Sequence, residues 1–405
     1  MPLAERYIAP LLPLVQSYAE SGRLSASAAG RYELAAEEFL SCLAGTAGGT
    51  GVTAGFYEDG RFLSMSFALA GEGLDLSGLN MVNIYAAGKT EEVGMETSLL
   101  LAGRSVDEFH VLLGDDGICR ITASVEQNYA AEAPCGEPVQ ARKPFRLSED
   151  ADVWRLALRL AAGRSGELAD LSYCARPDSF FADRQAGRVS LICLTDAGDT
   201  PAALILWRVE GRTAIFDGPF VLCDNEREAA AAAALENFVV RLGKEGIVCA
   251  LTERAGFANE GGYFDRAGGV SFRIMGEDDG GAAWAAASMA APLKEQFEAM
   301  ELTRTVFTAD GSIKGARTLL SVFLRKQLQR ADLKPEIIGR DFAEVLGAHV
   351  QELIRKGCRT ITISFPLRGT DAALAAGLAL EFGFAIWYVV PDAGDGDKLV
   401  LKYEG

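Results

Sequence analysis

Glu253 is the residue of this sequence whose type and position point most directly to chemistry. It follows residues 247–252, an apolar run that predicts a β-strand and therefore a fixed attachment point for the side chain. A carboxylate at a strand end could act as a general base and deprotonate an amine. A glutamate in this place could also form a surface salt bridge, and that second role is the favoured interpretation.

Residue types that bind metal ions occur at few positions. Asp392, Asp395 and Asp397 are interleaved with glycines, and three carboxylates at this spacing could hold Ca²⁺. No closing glutamate or helix–loop–helix frame accompanies them, so a solvated hairpin loop is the favoured interpretation. The two histidines, His110 and His349, are separated by most of the chain, and we expect no histidine-based zinc site. The prediction is that no metal is bound.

The overall composition is that of a globular protein. The chain has 405 residues, of which 49% are hydrophobic and 23% charged, which predicts two to four domains with hydrophobic cores. The formal net charge is −17. A surface this acidic repels nucleic acids and anionic lipids, so neither is an expected partner.

Cysteine usage and the absence of targeting signals predict a cytoplasmic protein. None of the eight cysteines forms a C-x-x-C pair, and several, such as Cys193 and Cys249, lie inside apolar runs. A free cysteine in such a run behaves as a small core residue, which argues for a reducing compartment and against disulfides. Residues 1–15 do not resemble a signal peptide, and no apolar run approaches the ~20 residues of a membrane span.

Three segments supply the elements that would position these residues. The first, residues 1–140, predicts a helix, a hairpin, a glycine-rich irregular stretch, a second helix and a second hairpin. The predicted helices lie at 31–43 and 96–105, and the predicted strands at 52–57, 62–69, 109–113 and 118–125. A linker at 130–147 contains four residues that interrupt helices and strands, namely Pro134, Gly136, Pro138 and Pro144.

The second segment, residues 146–278, predicts a helix, three antiparallel strands, a long helix and a further strand. These elements lie at 150–162, 189–194, 203–209, 212–216, 226–242 and 247–252. A loop at 276–290, rich in Gly, Asp and Ala, precedes the third segment, residues 290–405. That segment predicts helices at 314–329, 341–356 and 371–382 and strands at 359–365, 385–390 and 398–403.

The second and third segments contain one similar stretch. Residues 239–252 and 350–365 both consist of a helix end, a basic residue, a glycine and a strand. Gly246 and Gly357 are suited to a helix C-terminus, where φ is positive. The two segments are therefore either two copies of one βαβ-containing unit or two unrelated helix–glycine–strand units.

Residues 33–43 (ELAAEEFLSCL), 73–79 (GLDLSGL) and 99–109 (LLLAGRSVDEF) make the first segment resemble the GHKL ATPase fold of bacterial anti-sigma-factor kinases. In that histidine-kinase-like family, a helix carries a glutamate that polarises the attacking group and, four residues later, an asparagine that holds magnesium. The resemblance gives Glu38 the catalytic position, with a solvated helix residue as the alternative. Cys42 stands in place of the asparagine, and a neutral thiol is a poor ligand for Mg²⁺.

Two further GHKL motifs are replaced in this sequence. The family's adenine-reading Asp-x-Gly corresponds to Leu69-Ala70-Gly71, and its phosphate-binding Gly-x-Gly-Leu corresponds to Glu96-Thr97-Ser98-Leu99. Side chains then crowd the phosphate site, and Glu96 repels phosphate. We expect no ATP hydrolysis, and we do not expect ATP with Mg²⁺ as a cofactor.

The element order of the second segment, with GPFVLCDNERE at 218–228 before the long helix, resembles a GNAT-type N-acetyltransferase. That family binds the coenzyme A pyrophosphate on backbone N–H groups at the start of this helix, within Arg-x-x-Gly-x-Gly. The resemblance implies that Arg227, Glu228, Ala229 and Ala230 would contact acetyl-CoA or another acyl-CoA, and it places Glu253 at the acetyltransferase-type cleft. No glycine occurs between Gly218 and Gly243, so a structural helix with acidic residues in its first turn is the favoured alternative.

The complete prediction is an α+β or α/β protein in three parts. A GHKL-like sandwich is followed by a GNAT-like mixed-sheet domain and by a second GNAT-like half, which is recognised from residues 383–404. Three functions follow, in this order: a non-catalytic regulatory protein that binds a protein partner through its first domain, an acyl-CoA-dependent N-acyltransferase with an atypical coenzyme site, and an ATP-binding sensor without hydrolysis.

Overall fold

A computed structural model of the chain describes residues 8–46, 51–71, 74–82, 93–114, 116–136, 139–164, 172–253, 262–278 and 280–404. The fold is mixed α+β, as predicted, and the described residues form ten α-helices and four sheets. No helix in these ranges is long and apolar enough to cross a bilayer.

The N-terminal unit is a four-stranded antiparallel sheet of order β1-β2-β4-β3 with helices packed against it. Its elements are α1 (Ile8–Ser21), α2 (Ala26–Thr46), β1 (Thr53–Asp59), β2 (Phe62–Ala70), α3 (Val93–Ser105), β3 (Glu108–Leu113) and β4 (Ile118–Glu126). The predicted order of helices and hairpins is confirmed. Helix α1, which contains Pro13, was not predicted.

Hydrophobic periodicity explains how α2 packs on this sheet. Its buried residues recur every three or four positions, which places them on one helix face. Phe39 of that face contacts Phe67 of β2, with ring centroids 5.3 Å apart. Alternate residues of β2, such as Leu63, Met65 and Phe67, are fully buried, as expected for a sheet with one covered face.

The second unit is built on a seven-stranded sheet, called here the large sheet, of order β10-β11-β9-β8-β7-β6-β5. Its elements are β5 (Arg146–Ser148), α4 (Ala151–Arg164), α5 (Ser172–Ala175), α6 (Pro177–Gln185), β6 (Ser190–Thr195), β7 (Pro201–Glu210), β8 (Thr213–Val221), α7 (Arg227–Lys244), β9 (Cys249–Thr252), β10 (Asp265–Ala267) and β11 (Val270–Ile274). Strands β8 and β9 are parallel and are joined by α7, while the other neighbours are antiparallel.

Strands β8 and β9 pair over a short length and then diverge. The pairing joins Thr213–Ile215 to Cys249–Leu251, after which β9 ends at Thr252 and β8 continues to Val221. A bulge at Gly218 interrupts the pairing of β8 with β7, and a Cβ atom there would lie 3.0 Å from the Leu204 carbonyl oxygen. Among the described residues, no strand pairs with the β9-facing edge of residues 216–221.

The third unit contains a five-stranded sheet, called here the C-terminal sheet, of order β14-β15-β16-β18-β17, and a parallel pair β12-β13. Its elements are β12 (Gly281–Ala285), α8 (Ala290–Ala299), β13 (Arg304–Thr308), β14 (Leu319–Arg325), β15 (Arg330–Ile337), α9 (Phe342–Arg355), β16 (Thr360–Pro366), α10 (Thr370–Glu381), β17 (Phe384–Val390) and β18 (Lys398–Tyr403).

Two predictions in this third unit are wrong. The expected helix at 314–329 is strand β14 followed by a short turn, and the expected loop at 276–290 contains β12. The run Leu319–Arg325 is apolar at nearly every position, so its periodicity does not distinguish a helix from a strand. Pairing with β15 over Leu319–Ile337 decides in favour of the strand.

The large and C-terminal sheets share one strand order. Each sheet contains a parallel pair of strands joined by a helix, β8–β9 in one and β15–β16 in the other, and an antiparallel strand lies on the outer side of the first strand of the pair. The next two strands along the chain form a hairpin whose second strand pairs with the parallel pair. The resulting orders are β7-β8-β9-β11-β10 and β14-β15-β16-β18-β17. Gly246 and Gly357 follow the two helices with φ of 72° and 84°, as the sequence predicted. The shared order favours two copies of one unit over chance similarity.

The three units are in contact with one another. Residues of the large sheet, including Ile215, Leu251 and Phe272, belong to the same hydrophobic core as the C-terminal sheet. On the N-terminal side, Asp183 accepts hydrogen bonds from the Arg61 backbone N–H at 2.7 Å and from the Tyr173 hydroxyl at 2.6 Å. These contacts hold the N-terminal unit and the C-terminal sheet against the unit that contains the large sheet.

Candidate functional site

The candidate site lies on the face of the large sheet that is opposite α7. Trp207 of β7 and Phe216 of β8 both contact Phe238 of α7, with centroid distances of 5.3 and 4.8 Å. Because side chains alternate along a strand, Arg208 and Asp217 project from the other face. Glu253 projects from that face too, since it is three residues beyond Ala250, which is buried in the core under α7.

The C-terminal sheet approaches this face and adds charged residues to it. The resulting group is called here the polar cluster, and its members are Arg208, Glu210, Asp217, Glu253, Arg330, Asp332, Tyr388 and Lys398. The contacts within it join β7 and β9 of the large sheet to β15, β17 and β18 of the C-terminal sheet.

Glu253 has the most hydrogen bonds of the predicted site residues. Its carboxylate accepts two from the Arg330 guanidinium, at 2.5 and 3.1 Å, and one from the Tyr388 hydroxyl at 2.7 Å. Arg330 also binds Asp332 at 2.6 Å and lies over the Trp387 ring, 5.2 Å from its centroid. A planar guanidinium is suited to this two-point contact with a carboxylate.

These contacts define what Glu253 and Tyr388 can do. Burial and the adjacent Glu253 carboxylate raise the pKa of Tyr388 well above its usual value, so the hydroxyl stays a neutral donor. Burial opposes the charge of Arg330, but Glu253 and Asp332 outweigh it and raise its pKa. Glu253 therefore lies in a half-buried ion pair between two sheets, whereas the sequence favoured a surface salt bridge. Its role as a general base stays a prediction and would require one of its donors to move.

Arg208 and Glu210 form the second part of the polar cluster. Lys398 binds Glu210 directly, and the Arg208 Nε lies 3.5 Å from the other carboxylate oxygen. Burial acts to raise the pKa of Glu210, but Lys398 and Arg208 outweigh it and hold the pKa below its usual range. The Arg208 side chain is 46% exposed, compared with 15% for the Arg330 side chain, so this part of the site is closer to solvent.

The predicted coenzyme-binding residues lie at the same end of the large sheet as Glu253. Since β8 and β9 are parallel, the start of α7 and the end of β9 share one sheet edge. Arg227 and Glu228 are exposed, Ala229 is half-buried and Ala230 is buried. Glu226, the residue at the N-cap position, makes no side-chain capping bond to the helix, and the first N–H groups of any helix lack partners within the helix itself. Whether these residues bind a coenzyme stays a prediction.

An ion pair borders this turn. Glu226, the residue before α7, has a positive φ of 51° and binds Lys143 at 2.9 Å. The Asn225 side chain exchanges two hydrogen bonds with the backbone of Ala141, so residues 139–143 are attached beside the helix start. Lys143 thus partly offsets the charge of Glu226, which with Glu228 places two carboxylates at the start of α7.

The corresponding turn of the C-terminal sheet is closed by the protein itself. The Arg340 N–H before α9 donates to the Gly315 carbonyl at 2.9 Å, and the Gly339 N–H donates to Thr318 Oγ1 at 2.9 Å. A Cβ atom at Gly339 would lie 2.3 Å from the backbone of Arg317. The turn before α7 is held differently, by the side-chain and backbone bonds of Asn225 and Glu226 to residues 141–143.

Glu38 is not near Glu253, because it lies on α2 against the N-terminal sheet. Burial, with a smaller contribution from Glu38, raises the pKa of the Cys42 thiol to about 11. A thiol with this pKa stays protonated at neutral pH, which makes it a poor metal ligand. Among the described residues, no group of three or more His, Cys, Asp and Glu residues could hold a metal ion.

Two of the three carboxylates of the 392–397 loop, those of Asp392 and Asp397, form ion pairs, with Arg212 and Arg304 respectively, while Asp395 is exposed. Arg304 binds Asp397 at 2.6 Å and Asp278 at 2.5 Å, and its side chain is only 2% exposed. The Asp392 N–H also donates to Asp397, at 3.0 Å. The favoured interpretation of a solvated loop is therefore wrong for Asp397, which is buried in an ion pair.

Sequence reasoning missed Arg208, Arg330 and Tyr388. Arg330 and Tyr388 are 77 and 135 positions from Glu253, so no local pattern connects them. Arg208 offered one signal, since it is the first charge after the apolar run 202–207 of a predicted strand.

Comparisons with known proteins add little to this geometry. No family model matches the chain, and no curated protein matches it. A solved structure of the PaiA N-acetyltransferase from Thermoplasma acidophilum, in complex with coenzyme A, is similar to part of it. The identity is 11%, the match covers 33% of this chain and 99% of that one, and the TM-score is 0.26. At this score the likeness carries no argument, and the GHKL resemblance of the N-terminal unit stays a prediction.

Proposed function

We propose that this chain binds an acyl-coenzyme A between β8 and β9 and transfers the acyl group to an amine. The observation that carries the proposal is the divergence of these parallel strands, which leaves the edge of residues 216–221 without a strand partner among the described residues. That edge leads directly to the uncapped start of α7.

The chemistry of the coenzyme suits both features. The pantetheine arm is extended and contains amide groups, which can pair with a free strand edge as an added strand does. The pyrophosphate would then reach the first N–H groups of α7, where the helix dipole favours an anion and Arg227 supplies a positive charge. Glu228 opposes this charge, so we expect weaker binding than a glycine-rich turn would give.

The transfer itself requires only an acceptor and a base. The amine nitrogen attacks the thioester carbonyl carbon, the C–N bond forms, the C–S bond breaks, and the coenzyme leaves as a thiolate that takes up a proton. The amine must lose a proton before or during the attack. Glu253 is the carboxylate at the end of β9 and would accept that proton after Tyr388 or Arg330 releases one of its oxygens.

Isothermal titration calorimetry with acetyl-CoA and with longer acyl-CoAs tests the proposal. We expect saturable heat and a raised melting temperature, because a ligand that binds only the folded state stabilises it. The variant Arg227→Gln should weaken binding, whereas Arg241→Gln, the same change at the other end of α7, should not. No heat and no thermal shift at millimolar coenzyme would rule the proposal out.

A non-catalytic regulatory role is the second candidate. It is supported by the protonated thiol of Cys42 at the magnesium position and by the ion pair that holds Glu253. In this role the N-terminal unit would bind a protein partner. A pull-down with the full chain tests it, and recovery of no specific partner, together with acyl-CoA binding, would decide for the enzyme.

A further inference from the structure

The edges of two sheets meet where the N-terminal unit contacts the C-terminal sheet. Strand β3 is the edge strand of the N-terminal sheet, β14 is an edge strand of the C-terminal sheet, and β3 lies against β14 and its neighbour β15. Within the described ranges, the two sheets do not join into one. Side chains therefore make the connection between them.

Asn80 supplies one part of this connection. Its side chain is buried, donates a hydrogen bond to the Thr318 carbonyl oxygen at 2.7 Å and accepts one from the Leu320 N–H at 2.9 Å. A side-chain amide carries no charge at any physiological pH. These bonds therefore hold the N-terminal unit on β14 independently of pH.

Glu336 of β15 supplies a second part. Its carboxylate accepts hydrogen bonds from the Val111 N–H of β3 at 3.3 Å and from the Ser321 hydroxyl of β14 at 2.8 Å. The Lys334 ammonium lies 3.1 Å from this carboxylate, and Nδ1 of His110 lies 3.3 Å from it. The Glu336 side chain is 2% exposed, whereas the His110 side chain is 55% exposed. Protons from solvent therefore reach the ring but hardly reach the carboxylate.

The two members of this pair differ in whether they change charge near neutral pH. Burial acts to raise the pKa of Glu336, but the hydrogen bond with His110 and the charge of Lys334 outweigh it and hold the pKa below its usual range. Histidine is the side chain that ordinarily changes charge between pH 5 and 8. A protonated imidazole is a charged donor to Glu336, whereas a neutral ring offers an uncharged hydrogen bond at most. The contact should therefore strengthen as pH falls from 8 to 5.5.

Other charged groups on the strands around His110 are Glu108 of its own strand, Lys334 of β15, and Arg120 of β4, which pairs with Asp116 at 2.7 Å. Burial raises the pKa of Glu108, and the charges of His110 and Arg188 oppose that rise. The residue opposite His110 on β4 is Thr122, which carries no charge. Because Glu336 is the carboxylate in direct contact with the ring, it decides the sign.

We propose that His110 and Glu336 form a pH-dependent contact that fixes β3 against the C-terminal sheet when the imidazole is protonated and lets this edge open when the ring is neutral. Asn80 keeps the N-terminal unit attached in both states, so the opening is local to β3. In the open state the Val111 N–H loses its carboxylate acceptor and becomes accessible to solvent.

This proposal does not rest on the acyl transfer proposed above. Glu336 lies on the same face of β15 as Arg330 but six positions further along, which corresponds to about 20 Å in a strand. Substitution of His110 should therefore leave the binding of acetyl-CoA unchanged. Either proposal can fail without the other.

Hydrogen exchange of the Val111 amide in the full chain, measured at pH 5.5 and pH 8.0 and corrected for the intrinsic exchange rate, tests the contact. We expect this amide to open at least ~2-fold less often at pH 5.5, which is the size of effect that an exposed ion pair gives. His110→Gln should remove the pH dependence. His110→Lys, which keeps a positive charge at both pH values, should hold the amide closed at both.

Arg31→Gln is the matched control. It breaks an exposed ion pair with Asp107, the residue before β3, and arginine and aspartate ordinarily keep their charges between pH 5.5 and 8. Any change that it causes in the exchange of Val111 should be the same at both pH values. Equal opening of Val111 in the wild type at the two pH values, or a pH dependence that survives in His110→Gln, would overturn the proposal.

Discussion

The Tyr388 hydroxyl donates a 2.7 Å hydrogen bond to Glu253, and this bond joins β17 of the C-terminal sheet to the end of β9 in the large sheet. Arg330 binds the same carboxylate from β15. The residue that sequence reasoning selected as a candidate base is therefore held by two residues of the repeated unit. The C-terminal sheet thus completes the surroundings of the β8–β9 opening.

Removing Arg330 should destabilise the protein markedly. Arg330→Gln leaves Glu253 and Asp332 without their main cation in a partly buried site, and we expect a loss of about 2 kcal/mol in the free energy of unfolding. Urea denaturation measures the loss. Arg241→Gln, which breaks an exposed pair with Glu245 on α7, should cost less than about 0.5 kcal/mol. Equal losses of stability in the two variants would show that the partly buried ion pairs of Arg330 stabilise the fold no more than an exposed pair does.

Loss of the Tyr388 hydroxyl should have a smaller effect. Tyr388→Phe keeps the aromatic packing and removes one hydrogen bond to a carboxylate that Arg330 still neutralises, so about 1 kcal/mol is expected. In the background of Glu253→Gln the same substitution should cost less, because the charged acceptor is gone. Additive effects in this double-mutant cycle would contradict a direct interaction.

The Asp332 carboxylate should make stability depend on pH in the acid range. Burial acts to raise its pKa, but Arg330, Arg325 and the Thr362 hydroxyl outweigh burial and lower it. A carboxyl group with a lowered folded-state pKa stabilises the protein above its unfolded-state value, near 3.9, and this contribution is lost as pH falls through the folded value. The stability gap between wild type and Asp332→Asn should therefore be full at pH 6 and shrink below about pH 4. A gap that widens on acidification would contradict this sign.

Thiol reactivity should separate Cys42 from Cys135. Because Cys42 is buried and has a pKa near 11, it should react with a thiol reagent at pH 8 only when the N-terminal unit opens. Cys135 and Cys358 are half-buried and should both react before Cys42. Mass spectrometry of partially labelled protein reads out the order, and the double variant Cys135→Ala, Cys358→Ala is the control that removes the fast phase. Labelling of Cys42 before Cys135 would contradict the burial described here.

The sequence predicted most elements but not the contacts that define the site. Periodicity located α2, α7 and α9 to within a few residues, since amphipathic helices carry the strongest local signal. It failed at 314–329, where the mostly apolar run 319–324 forms a strand because β15 pairs with it. Local pattern does not contain information on that pairing.

Glu253 shows the same division between local and distant information. Its place after a buried strand was readable from the sequence, whereas its ion pair depends on the packing of two sheets. The opening between β8 and β9 could not be predicted from the sequence either. It arises because the two strands pair over only three residues, and no sequence motif marks where their pairing stops. Arg208 stood out only as the first charge after an apolar strand.

A crystal structure of the full chain grown with millimolar acetyl-CoA would show whether the coenzyme binds between β8 and β9. We expect the pantetheine arm along residues 216–221, the thioester beside Glu253, and the pyrophosphate at the first turn of α7. Coenzyme bound at a different surface, or a protein segment filling the gap between β8 and β9 while the coenzyme stays unbound, would contradict this expectation.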